Sequence, residues 1–507
     1  MSSACRSPKP WRCSPATAFP STPASAPAWR PAMRRMREAG MQRLLISCWP
    51  GECRAALLDA AGRLNRLLVH RDHHPASGAV HLARTRATAP DASGAFLDLG
   101  GGITGFLKRR ARSRLPAEGA MERVQIQSFD PAEPGKAVRV ARHILLEGRY
   151  LDLDPERRGV MFERIDDEGM PPLSSQRRQG LEAALSSIGE RIGVRLKRAA
   201  AAVDEDVAAA EAARLDGHWR MVEAAMRSSS RQARRILAGP DGLMRAVLML
   251  EGATPDEIRI EHPAVMAGAI RSFFARYPDL ADRLAAHRES TPLFEAFGVE
   301  DRIATLIDGD WPIEGGGALH LERARLGWVI DVDAVARTAR GDRQGLLAGL
   351  STRAAQTAAD LVRMLDLGGL IVIDFPTLSE PKARRKLAEH LAQALADDPL
   401  RPDCAGLNRH GIASIARTRR GVATASLLGL PGVPSFLHEE AHLFEDLRRL
   451  AGKARHVRTG EPLELAVGPS ARRRLTDGGL LDRWAEALGV GIRLVGSRDG
   501  GIQGEAS

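Results

Sequence analysis

Two short apolar runs, each closed by an aspartate, constrain this chain more than any other feature. The first is Gly327-Trp328-Val329-Ile330-Asp331-Val332-Asp333 and the second Gly368-Gly369-Leu370-Ile371-Val372-Ile373-Asp374-Phe375. The second run is short, rich in β-branched residues and opened by two glycines, so it reads as a strand inside a sheet. A helix-like stretch, about Thr352–Leu365, lies between them, and Asp331 and Asp374 are 43 residues apart. A strand–helix–strand crossover of that length can place two strands side by side and parallel, with both acids at one edge. A carboxylate in an apolar run is costly unless compensated, and two that meet repel unless a cation joins them. Mg²⁺ suits such a pair, because it takes hard oxygen ligands and is usually held by one or two carboxylates. A site of that kind can turn water on a phosphodiester while the ion offsets charge on the phosphate. The plainer alternative is that both acids are ordinary strand-end residues.

The remaining pattern is α/β and multidomain, since 507 residues exceed one compact core. Residues 42–48 and 54–72 read as short strands around the turn Asp59-Ala60-Ala61-Gly62. A Gly-punctuated β-type region covers roughly 76–148 and holds Gly94-Ala95-Phe96-Leu97-Asp98-Leu99-Gly100-Gly101-Gly102 and Gly105-Phe106-Leu107. Residues 173–235 look helical, with Ala-rich stretches and mixed charge. From 241 to 310, apolar runs such as Ala246–Leu250 alternate with helical patterns such as Ala264–Tyr277, which suggests an α/β layer. Pro381–Asp397 is an amphipathic helix, and further helices fall near 438–452 and 479–488.

Charge narrows the partner. Lys and Arg number 73 against 63 Asp and Glu, a net +10, which favours a polyanion. A GC-rich genome that prefers Arg to Lys would give the same balance. The basic segment Arg409-His410 to Arg417-Thr418-Arg419-Arg420 is either a phosphate contact or a solvated charge run. Phe96 and Phe106 stand out where aromatics make up 4%. On an OB-type barrel, exposed rings stack on the bases of single strands; in a core they only pack. The glycines at 100–102 are no phosphate loop, because no strand–Gly–helix context follows them. Five cysteines, few and odd in number, argue for a reducing, cytoplasmic compartment without a disulfide framework, and the lack of a C-x-x-C pair leaves structural zinc without support. No run of about 18 apolar residues offers a membrane span. The first forty residues, Pro-, Ala- and Ser-rich, are expected to be a disordered extension, with Met41 a candidate true start.

At this point the residues resemble a known family. Pro312-Ile313-Glu314-Gly315-Gly316-Gly317, then Val329-Ile330-Asp331-Val332-Asp333, then Leu365–Phe375 look like the catalytic stretch of ribonucleases E and G, whose pattern is close to PSGG, IDVN and LGGLIVIDF at the same separations. Ala95–Gly100 with Gly105-Phe106-Leu107 resembles the family's S1-type RNA-binding barrel, and Gly148-Arg149-Tyr150-Leu151 the strand that leaves it. Pro292-Leu293-Phe294 and Arg409-His410-Gly411 to Arg417-Thr418-Arg419 resemble the segments that open and close the catalytic part.

The resemblance implies an α/β architecture in which a ribonuclease H-like subdomain (41–75 and 241–300) carries an S1-type OB barrel (76–148) and a 5′-sensor-like region (149–240) as insertions. A deoxyribonuclease I-like catalytic subdomain (301–422) and a small C-terminal domain (423–507) follow the disordered 1–40. It implies Mg²⁺-dependent hydrolysis of single-stranded RNA, in RNA processing or decay, leaving 5′-phosphate and 3′-hydroxyl ends. Asp331 and Asp374 match the metal-binding aspartates, and Asp333 the Asn that supports the first. Phe96, Phe106 and Lys136 match RNA-contacting barrel positions; Arg409 and Arg417 belong to the basic segment.

There are departures. Asp replaces Asn at 333, Ala324-Arg325 stand where the family has Thr-Glu, and Phe162-Glu163 replace a Ser-Arg pair. The paired zinc cysteines are missing, so a homo-oligomer, if formed, is not linked by that zinc. In the segment where the family reads a 5′-monophosphate with Arg-Thr, this chain has Lys197-Arg198. Lys keeps the charge but loses the bidentate fork, so a weak response to the 5′ end is expected. The departures near the acids also leave open an RNA-binding member of the family with lost or weakened catalysis.

Overall fold

Apolar alternation over residues 43–71 folds into three antiparallel strands, β1 (Arg43–Trp49), β2 (Glu52–Leu58) and β3 (Leu64–Arg71). The sequence reading placed one turn here; the structure has a second at Pro50-Gly51, where Gly51 takes φ +82°. Across that tight hairpin Cys48 faces Cys53, and the two form a disulfide. This bridge spans 5 residues and fastens only a hairpin, so it is not a disulfide framework. The computed structural model describes residues 40–110, 113–163, 174–228, 230–333, 343–454 and 461–496. The readings made for residues 1–39, including the start at Met41 as against Met1, lie outside the described residues.

A barrel follows: β4 (Val80–Thr88), β5 (Gly94–Asp98), β6 (Thr104–Lys108), β7 (Met121–Phe129) and β8 (Val138–Ala141). The order β4-β5-β6-β8-β7 closes on itself through β4–β7 pairing. Its interior is filled by alternate residues of each strand, among them Leu97, Leu107, Val124, Ile126, Val138 and Val140. Next come β9 (Leu146–Glu147), β10 (Leu151–Asp154), β11 (Val160–Phe162) and β12 (Gly193–Leu196), a small sheet of order β11-β12-β10-β9. Helices Ser175–Gly189 and Glu205–Arg227 pack beside it. The helical reading of 173–235 is therefore right for two stretches and wrong for β12 and for β13 (Arg234–Leu237), which pairs with β4.

β14 (Glu257–Glu261) and β15 (Leu284–Ala286) then add in parallel to the edge of β1. The run Ala246–Leu250, grouped with strand-like segments, lies instead in and just after the helix Gly242–Leu248; burial made it apolar without alternation. The β1–β3 sheet is buried on both faces. Leu44, Ile46, Ala55 and Leu57 enter the core shared with the small sheet, whereas Leu45, Ala56, Leu58 and Leu67 enter the core of the sheet described next.

That sheet contains β16 (Asp310–Pro312), β17 (Ala318–Arg323), β18 (Trp328–Asp333), β19 (Gly369–Asp374), β20 (Asp403–Leu407) and β21 (Ile412–Arg417), in the order β16-β17-β18-β19-β21-β20. Helix Arg343–Met364 makes the crossover from β18 to β19, and helix Pro381–Ala396 packs against it. β22 (Gly421–Val422) returns to pair with β7 of the barrel. Helices Ser435–Ala454, Pro469–Asp477 and Leu480–Leu488 with parallel β23 (Leu463–Val467) and β24 (Ile492–Gly496) form a C-terminal unit, its core built on Phe444 and Trp484. The molecule is thus a mixed α/β protein with a closed five-stranded barrel. No helix among the described residues is long and apolar enough to cross a membrane.

Candidate active site

The crossover places the two acids as neighbours. β18 and β19 are parallel and hydrogen-bonded, and Asp331 is the register partner of Asp374. One face of this sheet, with Trp328, Ile330, Val332, Ile371 and Ile373, is buried under helix Arg343–Met364, whose Ala354, Ala355, Ala358 and Ala359 allow close approach. The alternating residues Asp331, Asp333 and Asp374 face the other way and are exposed. Gly327 makes the strand contact possible: a Cβ there would lie 2.0 Å from the Leu370 carbonyl oxygen. Among the described residues no cation pairs with Asp331, Asp333 or Asp374.

The row continues across the sheet. His320 on β17 is opposite Asp331, and Asp310 on β16 is opposite His320. His320 Nδ1 lies 2.7 Å from Asp310 Oδ1, and the imidazole is half-exposed. Sequence reading missed this pair; alternation on β17 combined with the hairpin register to β18 is the signal that finds it. On the far side, Phe375 N donates to Gly411 O, 3.0 Å, so the turn Asn408–Gly411 abuts the strand end that carries Asp374. Arg409 and His410 are exposed on this turn. The altered Ala324-Arg325 lie in the β17–β18 turn, at the opposite end of β18 from the acids.

The expected barrel rings come together as well. Phe96 on β5 pairs across strands with Phe106 on β6, ring centroids 5.2 Å apart, and Phe96 is 37% exposed. Gly94 gives the second ring its seat, since a Cβ at Gly94 would lie 2.4 Å from Phe106 Cζ. Arg139 on β8, which sequence reading missed, is opposite Phe106 and exposed, so two rings and a guanidinium form one outward row. Lys136 lies outside that row, ahead of β8, with Nζ 2.7 Å from Glu133.

The other expected cations serve the fold. Arg417 is buried: Nε lies 2.8 Å from Asp398 Oδ2 and Nη1 2.6 Å from Asp366 Oδ1. Its assignment to RNA is corrected, because the guanidinium is buried and already paired with two carboxylates. Lys197 Nζ lies 2.6 Å from Asp152 Oδ1 and donates to Gly148 O at 2.8 Å. Arg195 Nη2 contacts the second oxygen of Asp152, a residue with no exposed surface. Burial opposes the charge on Arg195, but Asp152 outweighs it and holds the guanidinium above its ordinary range. Arg198 is half-buried and opens the short 3₁₀ turn Arg198–Ala202.

Comparison with known proteins adds to this geometry. The family model described as "Ribonuclease E/G family" matches residues 146–420. "Ribonuclease G" of Escherichia coli K12 is 26% identical over 400 residues, covering 74% of this chain and 79% of that protein. "Ribonuclease G" of Haemophilus influenzae is 24% identical over 401 residues, with the same two shares. "Ribonuclease E" of Escherichia coli K12 is 26% identical over 406 residues, 75% of this chain and 37% of that longer protein.

Proposed function

Since the chain belongs to the ribonuclease E/G family, we propose that it is a Mg²⁺-dependent endoribonuclease that hydrolyses single-stranded RNA in RNA processing or decay. The observation that carries this reading is the in-register pair Asp331 and Asp374, exposed on adjacent parallel strands. Two carboxylates side by side, with no cation paired to them among the described residues, make an all-oxygen, dianionic donor set, which fits Mg²⁺. Asp331 and Asp374 would hold the ion, with Asp333 supporting Asp331 from the same face. When bound, Mg²⁺ supplies positive charge to the phosphoryl oxygens and a water of lowered pKa.

The chain's own residues do the rest. Phe96 and Phe106 stack on bases, Arg139 meets the backbone, and Arg409 and His410 hold a phosphate beside the acids. Asp310 fixes the His320 ring through Nδ1, which leaves Nε2 as the atom that takes the attacking water's proton. The water oxygen bonds to phosphorus, the P–O3′ bond breaks, and the products carry 5′-phosphate and 3′-hydroxyl ends. In this reading the 301–422 part is the deoxyribonuclease I-like catalytic subdomain, and the barrel is of S1 type. A covalently closed, unstructured RNA circle tests it: Mg²⁺ should yield linear RNA. An intact circle under conditions where the protein binds it would refute the proposal.

Binding by the barrel row has its own test. Phe96→Ala or Phe106→Ala should weaken RNA binding by about 1–3 kcal/mol if the rings stack on bases. Fluorescence anisotropy measures it, and an unchanged affinity in a folded variant would remove the rings from the interface.

The 5′ end should matter little. Asp152 already occupies both Arg195 and Lys197, so an incoming phosphate would have to displace a buried carboxylate. Matched RNAs with 5′-hydroxyl and 5′-monophosphate ends should be cut at similar rates, and Asp152→Asn should favour the monophosphate by freeing both cations. An advantage of about tenfold or more for the monophosphate with the parent protein would contradict this, being about 1.4 kcal/mol of discrimination.

A further inference from the structure

A second convergence of ligand atoms lies where the end of β3, the barrel and the C-terminal helices meet. His73 and His74 follow β3, Glu440 comes from helix Ser435–Ala454, and Arg474 from helix Pro469–Asp477. The Glu440 side chain is 1% exposed. Its Oε1 accepts from Arg71 Nη1 at 2.8 Å and lies 2.9 Å from His74 Nε2; its Oε2 lies 3.2 Å from His73 Nε2. The ligand atoms of His73, His74 and Glu440 all fall within 4.8 Å of one another. Both rings are held in place: His73 stacks on Phe444 with an interplanar angle of 4°, and His74 packs on Phe129.

A cation already bridges two of these groups. Arg474 Nη1 contacts both His73 Nε2 and Glu440 Oε2. A guanidinium only donates, so His73 Nε2 must present a lone pair to it. That lone pair then faces a carboxylate lone pair of Glu440, and the Arg474 guanidinium bridges the two acceptors. The guanidinium nitrogen therefore marks a cation seat. Arg474 is 31% exposed and can swing out, whereas Arg71 is 3% exposed and stays as the second hydrogen bond on the carboxylate.

We propose that His73, His74 and Glu440 form a three-ligand zinc site that Arg474 occupies in exchange with the metal, and that the bound metal clamps the C-terminal helices to the end of β3. Two imidazoles and one carboxylate suit Zn²⁺, with a water completing the tetrahedron, and do not suit Mg²⁺. The cysteine count bears on thiolate sites alone and says nothing against histidine ligands.

The test is Zn²⁺ titration of the full-length protein by calorimetry, in an Asp331→Asn/Asp374→Asn background that removes the oxygen-only pair. One equivalent of Zn²⁺ should bind and raise the melting temperature. His73→Ala, at a half-exposed position, and His74→Gln should each weaken binding by about 100-fold or more, since losing a direct ligand costs at least as much as losing one of its hydrogen-bond partners. Arg474→Met should tighten it by removing the competing cation while the protein stays folded. Zn²⁺ binding that survives both histidine changes, no binding at all, or weaker binding in Arg474→Met would each overturn the proposal.

Discussion

Asp331→Asn or Asp374→Asn should lower RNA cleavage by at least about 100-fold, a barrier increase of about 2.7 kcal/mol, while RNA binding stays nearly intact. The division of labour is spatial. The acids lie on the exposed face at the ends of β18 and β19, and the aromatic row lies on the barrel. Asn keeps the size and one oxygen acceptor but removes a charge that a divalent ion needs. Fold loss is not the expected cause of inactivity, because each change relieves repulsion between adjacent exposed carboxylates. Single-turnover cleavage and anisotropy on the same preparation measure the two effects separately. Near-parent cleavage by either variant would place the ion elsewhere.

The second large effect is on stability. Arg417→Ala should destabilise the protein by about 3–5 kcal/mol, because it strands Asp398 in the interior without a counter-charge. Both side chains of this pair are essentially inaccessible, at 1% and 0% exposed. The same guanidinium also caps the Leu367 carbonyl, 2.9 Å away, at the approach to β19. Chemical denaturation reads the loss directly. The remaining folded protein should keep the parent's salt dependence of RNA binding, since a buried cation releases no counterion. A reduced salt slope without loss of stability would return Arg417 to the RNA interface.

Arg417 also shows where the sequence stops being legible. Its destination depends on Asp366 and Asp398, which reach it only through tertiary folding. A run of basic residues reads the same whether it meets phosphate or the protein's own acids. Arg409 shares that run yet lies exposed beside Asp374, because the turn Asn408–Gly411 is fixed by the β19–β21 register. The β18–β19 crossover was legible because the apolar runs, the glycines and the helical spacer agree with one another. β12 was not, since a strand of 4 residues sits between two helices in an Ala-rich stretch. His320 and Arg139 are single residues in ordinary strands, and only cross-strand register brings them to Asp331 and Phe106. Cys48 and Cys53 needed the Pro50-Gly51 turn to face each other. Asp152 was invisible for the reason that hid Arg417: a buried acid's partners are chosen by the fold.

The most direct measurement is a cleavage time course on a linear, unstructured, AU-rich RNA with the purified parent protein, in Mg²⁺ and in EDTA. The account predicts internal cuts that accumulate with Mg²⁺, stop with EDTA, and leave 5′-phosphate and 3′-hydroxyl ends. Bound but uncut RNA in Mg²⁺, or cutting that continues undiminished in EDTA, would contradict it.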